Sequence, residues 1–161
     1  MLIVLEPVDE RLDEMRERFA SMGERSANAA TAMAWMANTI LPTEVDRHFE
    51  SGGDHLWSGW PPITDKWRRR KVAMGYDERT MHMTHRLRNS LSEVGHPDQE
   101  VDVGASSLHY ATKVPYARYH QRGGAILPQR KVIHANERVR MHFVSVVGNW
   151  IVHGKPRSTV S

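Results

Sequence analysis

The stretch VPYARYHQRGG, residues 114–124, decides how the chain is read. Two tyrosines, two arginines, a histidine and a glutamine crowd into eleven residues and stop on Gly123-Gly124. Such a cluster can be a catalytic site, a nucleic-acid contact or the corner of a core. Tyr116 and Tyr119 offer apolar rings with polar tips, and His120 and Gln121 can bond to backbone groups. A glycine supplies the positive φ by which a chain leaves a short helix. His120 has no acidic neighbour in sequence to orient it as a metal ligand. The residues therefore read as a structural corner, with a short helix inside 110–121 ended by the glycines.

Working outward, EVDVG at 100–104 reads as a strand with Val101 and Val103 on one face. Before it, LRNSLSEV at 87–94 alternates in polarity and has partial strand character, so VGHPDQ between them reads as a hairpin connection. After the corner, NERVRMHFVSVVGNWIVHG links Val139, Phe143, Val146 or Val147, and Trp150 at helical spacing. Its β-branched content also permits a strand; a helix with Asn136 as N-cap is favoured. The tail 155–161 is expected to be mobile unless a neighbour holds it.

Toward the N-terminus, Leu2-Ile3-Val4-Leu5 reads as a short strand, and Asp9 as the cap of a helix. Val8, Leu12, Met15, Phe19 and Met22 make one apolar face of that helix, which Gly23 interrupts. Ser26 then caps a second helix with Ala30, Met33, Ala37 and Ile40 or Leu41 on its stripe. Pro42 should end or kink it, and Thr43 recaps a continuation through Val45 and Phe49. Residues 52–82 break the helical pattern with Gly52-Gly53 and Pro61-Pro62, although Thr64 can cap a short helix carrying DKWRRRKVAM. The sum is an α+β domain over residues 1–154: N-terminal helices packed on a small, mainly antiparallel sheet, with an extended loop arm at 52–82.

The composition suits this. With 161 residues, 40% of them hydrophobic, the chain is long enough for a real core. It has no cysteine, which excludes a disulfide framework and a thiolate metal site and fits a reducing compartment. MLIVLEP lacks the basic start and cleavage site of a signal peptide, and no apolar run approaches the ~20 residues of a membrane span. A net charge of +3 reads as a solvated mixed surface or, more sharply, as mild attraction to DNA or an acidic partner.

Motifs for chemistry are sparse. Ten histidines invite a metal search, and HMTH sets His82 and His85 three apart, but no third ligand has diagnostic spacing and no HExxH occurs. Asp98 and Asp102 flank a strand without further support. There is no GxSxG, P-loop or dinucleotide glycine pattern. No catalytic residue, metal site or cofactor is assigned. KWRRRK at 66–71 can meet phosphates or an acidic protein surface, or stand as a solvated face. Trp57, Trp60 and Trp67 are anchors of a core or of a subunit interface, with Arg68, Arg69 and Arg70 at the rim of that interface.

The order of these elements is more telling than any one of them. Trp60, Pro61 or Pro62, Ile63, Thr64 and Lys66 are followed by Thr84, Leu87 and Ser90. Val101, Val103 and Gly104 come next, then Tyr116, Ala117, His120, Gln121 and Gly123, then Pro128 and Arg130. This series resembles the phage virion morphogenesis family, the tail-completion and head–tail connector proteins of long-tailed bacteriophages. His85 stands where that pattern has glycine, so the local turn is open to difference.

The resemblance implies a structural, non-enzymatic role: a neck protein that completes the tail and joins it to the head in a ring through which DNA passes. It implies six copies, or twelve on the portal side. The expected neighbours are head-closure, tail-terminator or tail-tube proteins, and the genomic DNA is threaded without sequence-specific binding. The expected location is the head–tail interface of the virion, assembled in the host cytoplasm. Tail terminator and head-closure protein stay open as alternatives within this class. From other classes, a basic DNA-binding module using KWRRRK and a metal-dependent nuclease using the histidines stay open too.

Overall fold

The computed structural model describes the backbone of residues 9–160 and the side chains of residues 12–160, so the strand expected at 2–5 and the Asp9 side chain expected as a cap lie outside it. The first helix, α1, spans Asp9–Ala27 and runs through Gly23 unbroken. α2 follows at Ala30–Trp35. Asn28 starts it, accepting the Ala30 amide at 3.0 Å, whereas Ser26 bonds back to the Gly23 carbonyl. A π-helical turn at Met36–Ile40 leads into α3, Leu41–Glu50. Pro42, in the first turn of α3, has no N–H to give a carbonyl one turn back. The widened turn absorbs that mismatch, so the chain neither ends nor recaps at Thr43.

α4, Asp65–Ala73, begins as expected, with Thr64 Oγ1 accepting the Trp67 amide at 3.3 Å. LRNSLSEV, in contrast, is not a strand. Residues Arg86–Ser92 form helix α5. Leu87 and Leu91, four apart, are both buried against α3 together with Ser90. Arg88 on the same helix pairs with Asp46 at 2.7 Å. The strand β1, Gln99–Val103, finds its partner on the other side, in β2, Leu108–Thr112. The two are antiparallel, Val101 facing Tyr110, and a turn closed by Gly104 N–H to Ser107 O at 2.9 Å joins them. The corner helix α6 spans Ala117–Arg122 and α7 spans Glu137–His153. Asn136 Oδ1 caps α7 by accepting the Val139 amide at 3.0 Å. The class is α+β, with helices around a two-stranded antiparallel sheet.

Two apolar clusters hold these elements. Val45, Phe49, Trp60, Leu87, Leu91, Val114, Ala117 and Val132 form the larger one. Ala32, Met36 and Val146 centre the smaller, under Trp35 and Trp150. α1 joins only at its end, where Arg25 Nε donates to the Ile151 carbonyl at 2.8 Å. Its apolar stripe is real but unpacked: Leu12, Met15 and Phe19 are 41%, 51% and 65% exposed. The C-terminal tail, expected to be mobile unless held, lies back along α7. Ser158 Oγ is 2.7 Å from His142 Nδ1, and Asn149 Nδ2 donates to the Arg157 carbonyl at 3.2 Å.

His85 explains its own departure from the family pattern. It precedes α5 with φ of 56°, the left-handed region that favours glycine. Its side chain is exposed. His85→Gly is therefore expected to raise the unfolding free energy by about 1 kcal/mol in a denaturant titration. A loss of stability would mean that the imidazole makes a contact outweighing the strained backbone.

Candidate functional site

The corner at 116–132 is built from backbone bonds outward. Gly123, at φ 69°, ends α6 and turns the chain; a Cβ there would sit 2.8 Å from the Gln129 amide nitrogen. The chain then doubles back, with Arg130 N–H to His120 O at 2.7 Å and Gly124 N–H to Leu127 O at 2.8 Å. Gln121 completes the lock. Its Oε1 accepts from the Val132 and Ile133 amides at 2.8 and 3.3 Å, and its Nε2 donates to the Ile133 carbonyl at 2.8 Å. One side chain thus does what a paired strand would do for this segment.

Lys131 O ties the corner to the N-terminal half. It accepts from Trp60 Nε1 at 2.7 Å and from His48 Nε2 at 2.8 Å. His48 Nδ1 takes the Leu56 amide at 3.1 Å, so the imidazole is the neutral Nε2–H tautomer. Burial holds its pKa below the ordinary histidine value, against the opposing pull of the Lys131 carbonyl. Arg130, only 5% exposed, donates to the Pro61 carbonyl at 2.9 Å. Burial also lowers its pKa. Tyr116, edge-on to the His120 ring at 6.3 Å, and Pro128 stand at the rim. The residues of 114–124 thus brace a turn, and they do so across the chain.

This geometry corrects the expected arm. Trp60 is 7% exposed and packs edge-on to Phe49 at 5.0 Å, so it belongs to the protein's own core and is not an interface anchor. Gly52 and Trp60 close one end of 52–82 with the bond Trp60 N–H to Gly52 O at 2.8 Å. At the other end His82 is buried, its Nε2 3.0 Å from Phe49 O. Lys71, the last cation of KWRRRK, is buried and donates to the Arg79 and His82 carbonyls, both at 2.7 Å. The segment is thus a braced flap rather than an extended loop. Trp57 is half-buried under Lys131. Trp67, Arg68, Arg69 and Arg70 remain on the surface, Arg68 paired with Asp65 at 3.3 Å.

Between this flap and the corner lies an open groove of about 670 Å³. Trp67, Met81, Met83, Leu87, Tyr116 and Leu127 give it apolar walls, while Lys71, His85, His120 and Arg130 are its only titratable groups besides Tyr116. Among the described residues, no aspartate or glutamate lines it. His120 Nδ1 has no hydrogen-bond partner among the described residues, and burial together with the nearby Arg130 charge keeps the ring's pKa low. Ile126, on the rim, is 98% exposed.

Residues 4–147 match the phage virion morphogenesis family. The chain belongs to that family. The match covers both cores, the corner and the flap, and it carries a role in building the phage virion. No curated protein and no solved structure matches the chain. Among the described residues of this family member, no three His, Asp, Glu or Cys side chains are grouped to hold a metal. His82 and His85 meet only as an edge contact at 5.5 Å. No helix among the described residues is long and apolar enough to cross a membrane.

One constellation escapes sequence reading. Glu44 on α3 is 3% exposed and lies 2.8 Å from His55 Nε2, 3.3 Å from Arg138 Nε and 3.8 Å from His142 Nε2. It binds α3 to α7 and to the turn after α3. Its partners come from two segments far apart in the chain, the turn at His55 and α7, and no spacing announces them.

Proposed function

We propose that this protein is a structural subunit of the phage neck that completes the tail and joins it to the head, as one member of a ring around the DNA path. The observation that carries the reading is membership of the morphogenesis family across both cores. Two further features support it. The chain bears unlike surfaces on separate elements: a projecting helix with an uncovered apolar stripe, and an open apolar groove. Unlike patches make heterologous contacts, which close into rings, whereas one self-complementary patch makes a dimer. Six copies are expected from the sixfold tail, and twelve if the chain sits on the portal side. Its neighbours would be head-closure, tail-terminator or tail-tube proteins, and the DNA would pass without sequence-specific contacts. Tail terminator and head-closure subunits fit the same description and differ by layer.

The reading assigns no turnover to the protein. A nonsense mutation in its gene should leave DNA-filled heads and full-length tails unjoined in the lysate, visible by electron microscopy and restored to whole particles by the purified protein. Joined, infectious particles in the absence of the protein would overturn the proposal.

A further inference from the structure

The chemistry of the groove describes an occupant. The groove is apolar, it runs between two braced walls, and among the described residues every ionisable group along it other than Tyr116 is a base. An extended apolar segment carrying a carboxylate fits it. The sequence has one such segment ahead of α1: Leu2 to Val8 reads LIVLEPV, four aliphatic residues followed by Glu6. Pro7 suits an extended path and cannot continue a helix backwards.

The segment is attached to α1, and α1 leaves the body. Arg25, near its C-terminal end, bonds to α7, while side chains 12–20 are all exposed. Nineteen residues of helix reach about 28 Å, enough to carry what precedes them away from the subunit. The groove lies on α4, α5 and α6, elements other than the α7 face that seats α1.

Resting on the ring reading above, we propose that residues 2–8 of one copy dock in the groove of the next. The aliphatic run covers Trp67, Met83 and Ile126, and Glu6 meets the His120 and Arg130 side. The contact is heterologous, so repeating it around an axis closes a ring. Extending one chain's segment onto the next copy also leaves α1 bridging the gap, where its stripe of Leu12, Met15 and Phe19 gains a neighbour to cover it.

The chain has no cysteine, so introduced pairs report cleanly. In assembled particles carrying Val4→Cys with Ile126→Cys, mild oxidation should give a ladder of covalent multimers on denaturing gels, up to the full ring. Neither single variant should give it. Val4→Cys with Met83→Cys serves as the second pair, and Val4→Cys with Val152→Cys, on the exposed side of α7, should stay unlinked. Links confined within single chains would show that each segment fills its own groove and would overturn the proposal. Particles that hold a full complement of copies by quantitative mass spectrometry, but give no ladder from either pair, would overturn it while leaving the ring intact. One copy per particle would overturn both.

Discussion

Replacing Gly53 with alanine is expected to lower the unfolding free energy by about 3–5 kcal/mol. Gly53 has φ of 96°, a conformation no alanine adopts without strain. Its added Cβ would also lie 2.6 Å from the Trp60 ring and 2.8 Å from the Trp60 amide nitrogen. Neither obstacle is a flexible chain end. The indole is fixed by its bond to Lys131 O at 2.7 Å, and the backbone by Trp60 N–H to Gly52 O at 2.8 Å. Relieving the clash means expelling Trp60 from the core that Val45, Phe49 and Leu91 share with it. Domains of this size have only about 5–15 kcal/mol in total, so the variant should accumulate poorly. Gly52→Ala is the control: φ there is 65°, but nothing lies within 4 Å of the added Cβ, so about 1 kcal/mol is expected. Equal effects of the two variants in urea titrations would mean that Trp60 does not wedge against Gly53.

Acidification below pH 6.5 should destabilise the fold steeply. His48, His82 and His142 are 0%, 1% and 4% exposed, and burial is the main reason that each has a pKa lowered from the ordinary 6.5. Glu44 beside His142 and Asp77 near His82 oppose the shift without reversing it. Below 6.5 the unfolded chain takes up protons that the folded chain refuses, so stability falls as pH falls. The contribution is fully present above 6.5 and is lost on the way down to the folded pKa values. Each withheld proton is worth about 1.4 kcal/mol per pH unit. Three together set a ceiling of about 4 kcal/mol per unit, reached only where all three are charged in the unfolded chain and neutral in the folded one. Thermal unfolding at pH 8, 6.5 and 5.5 measures it. A midpoint that holds steady from 8 to 5.5 would mean that these rings are hydrated or already charged in the folded state.

What could be read from the sequence was what local chemistry decides. Thr64 and Asn136 cap their helices because a side-chain oxygen three residues before an orphan amide needs no distant partner. Gly123 ends α6 for an equally local reason, its positive φ. LRNSLSEV misled because eight residues are too few to separate alternation from a helical repeat. What settles it is α3, forty residues earlier, with Asp46 positioned for Arg88. Trp60 looked like an interface anchor because its segment is rich in turn signals, and the carbonyl that holds it belongs to Lys131. Lys71 looked like surface charge for the same reason. The groove was invisible, being assembled from α4, the 80–87 turn and the corner. The family resemblance was legible because those same residues keep their order along the chain.

The central claim, a ring subunit of the neck, is tested most directly by a reconstruction of the intact virion at a resolution that traces side chains. The account predicts this chain between the portal and the tail tube, as a closed ring of six, or of twelve at the portal side, with the 114–132 corner recognisable by Gln121 against 132–133. The chain found as a single copy, as an isologous dimer, or anywhere other than the head–tail junction would contradict it.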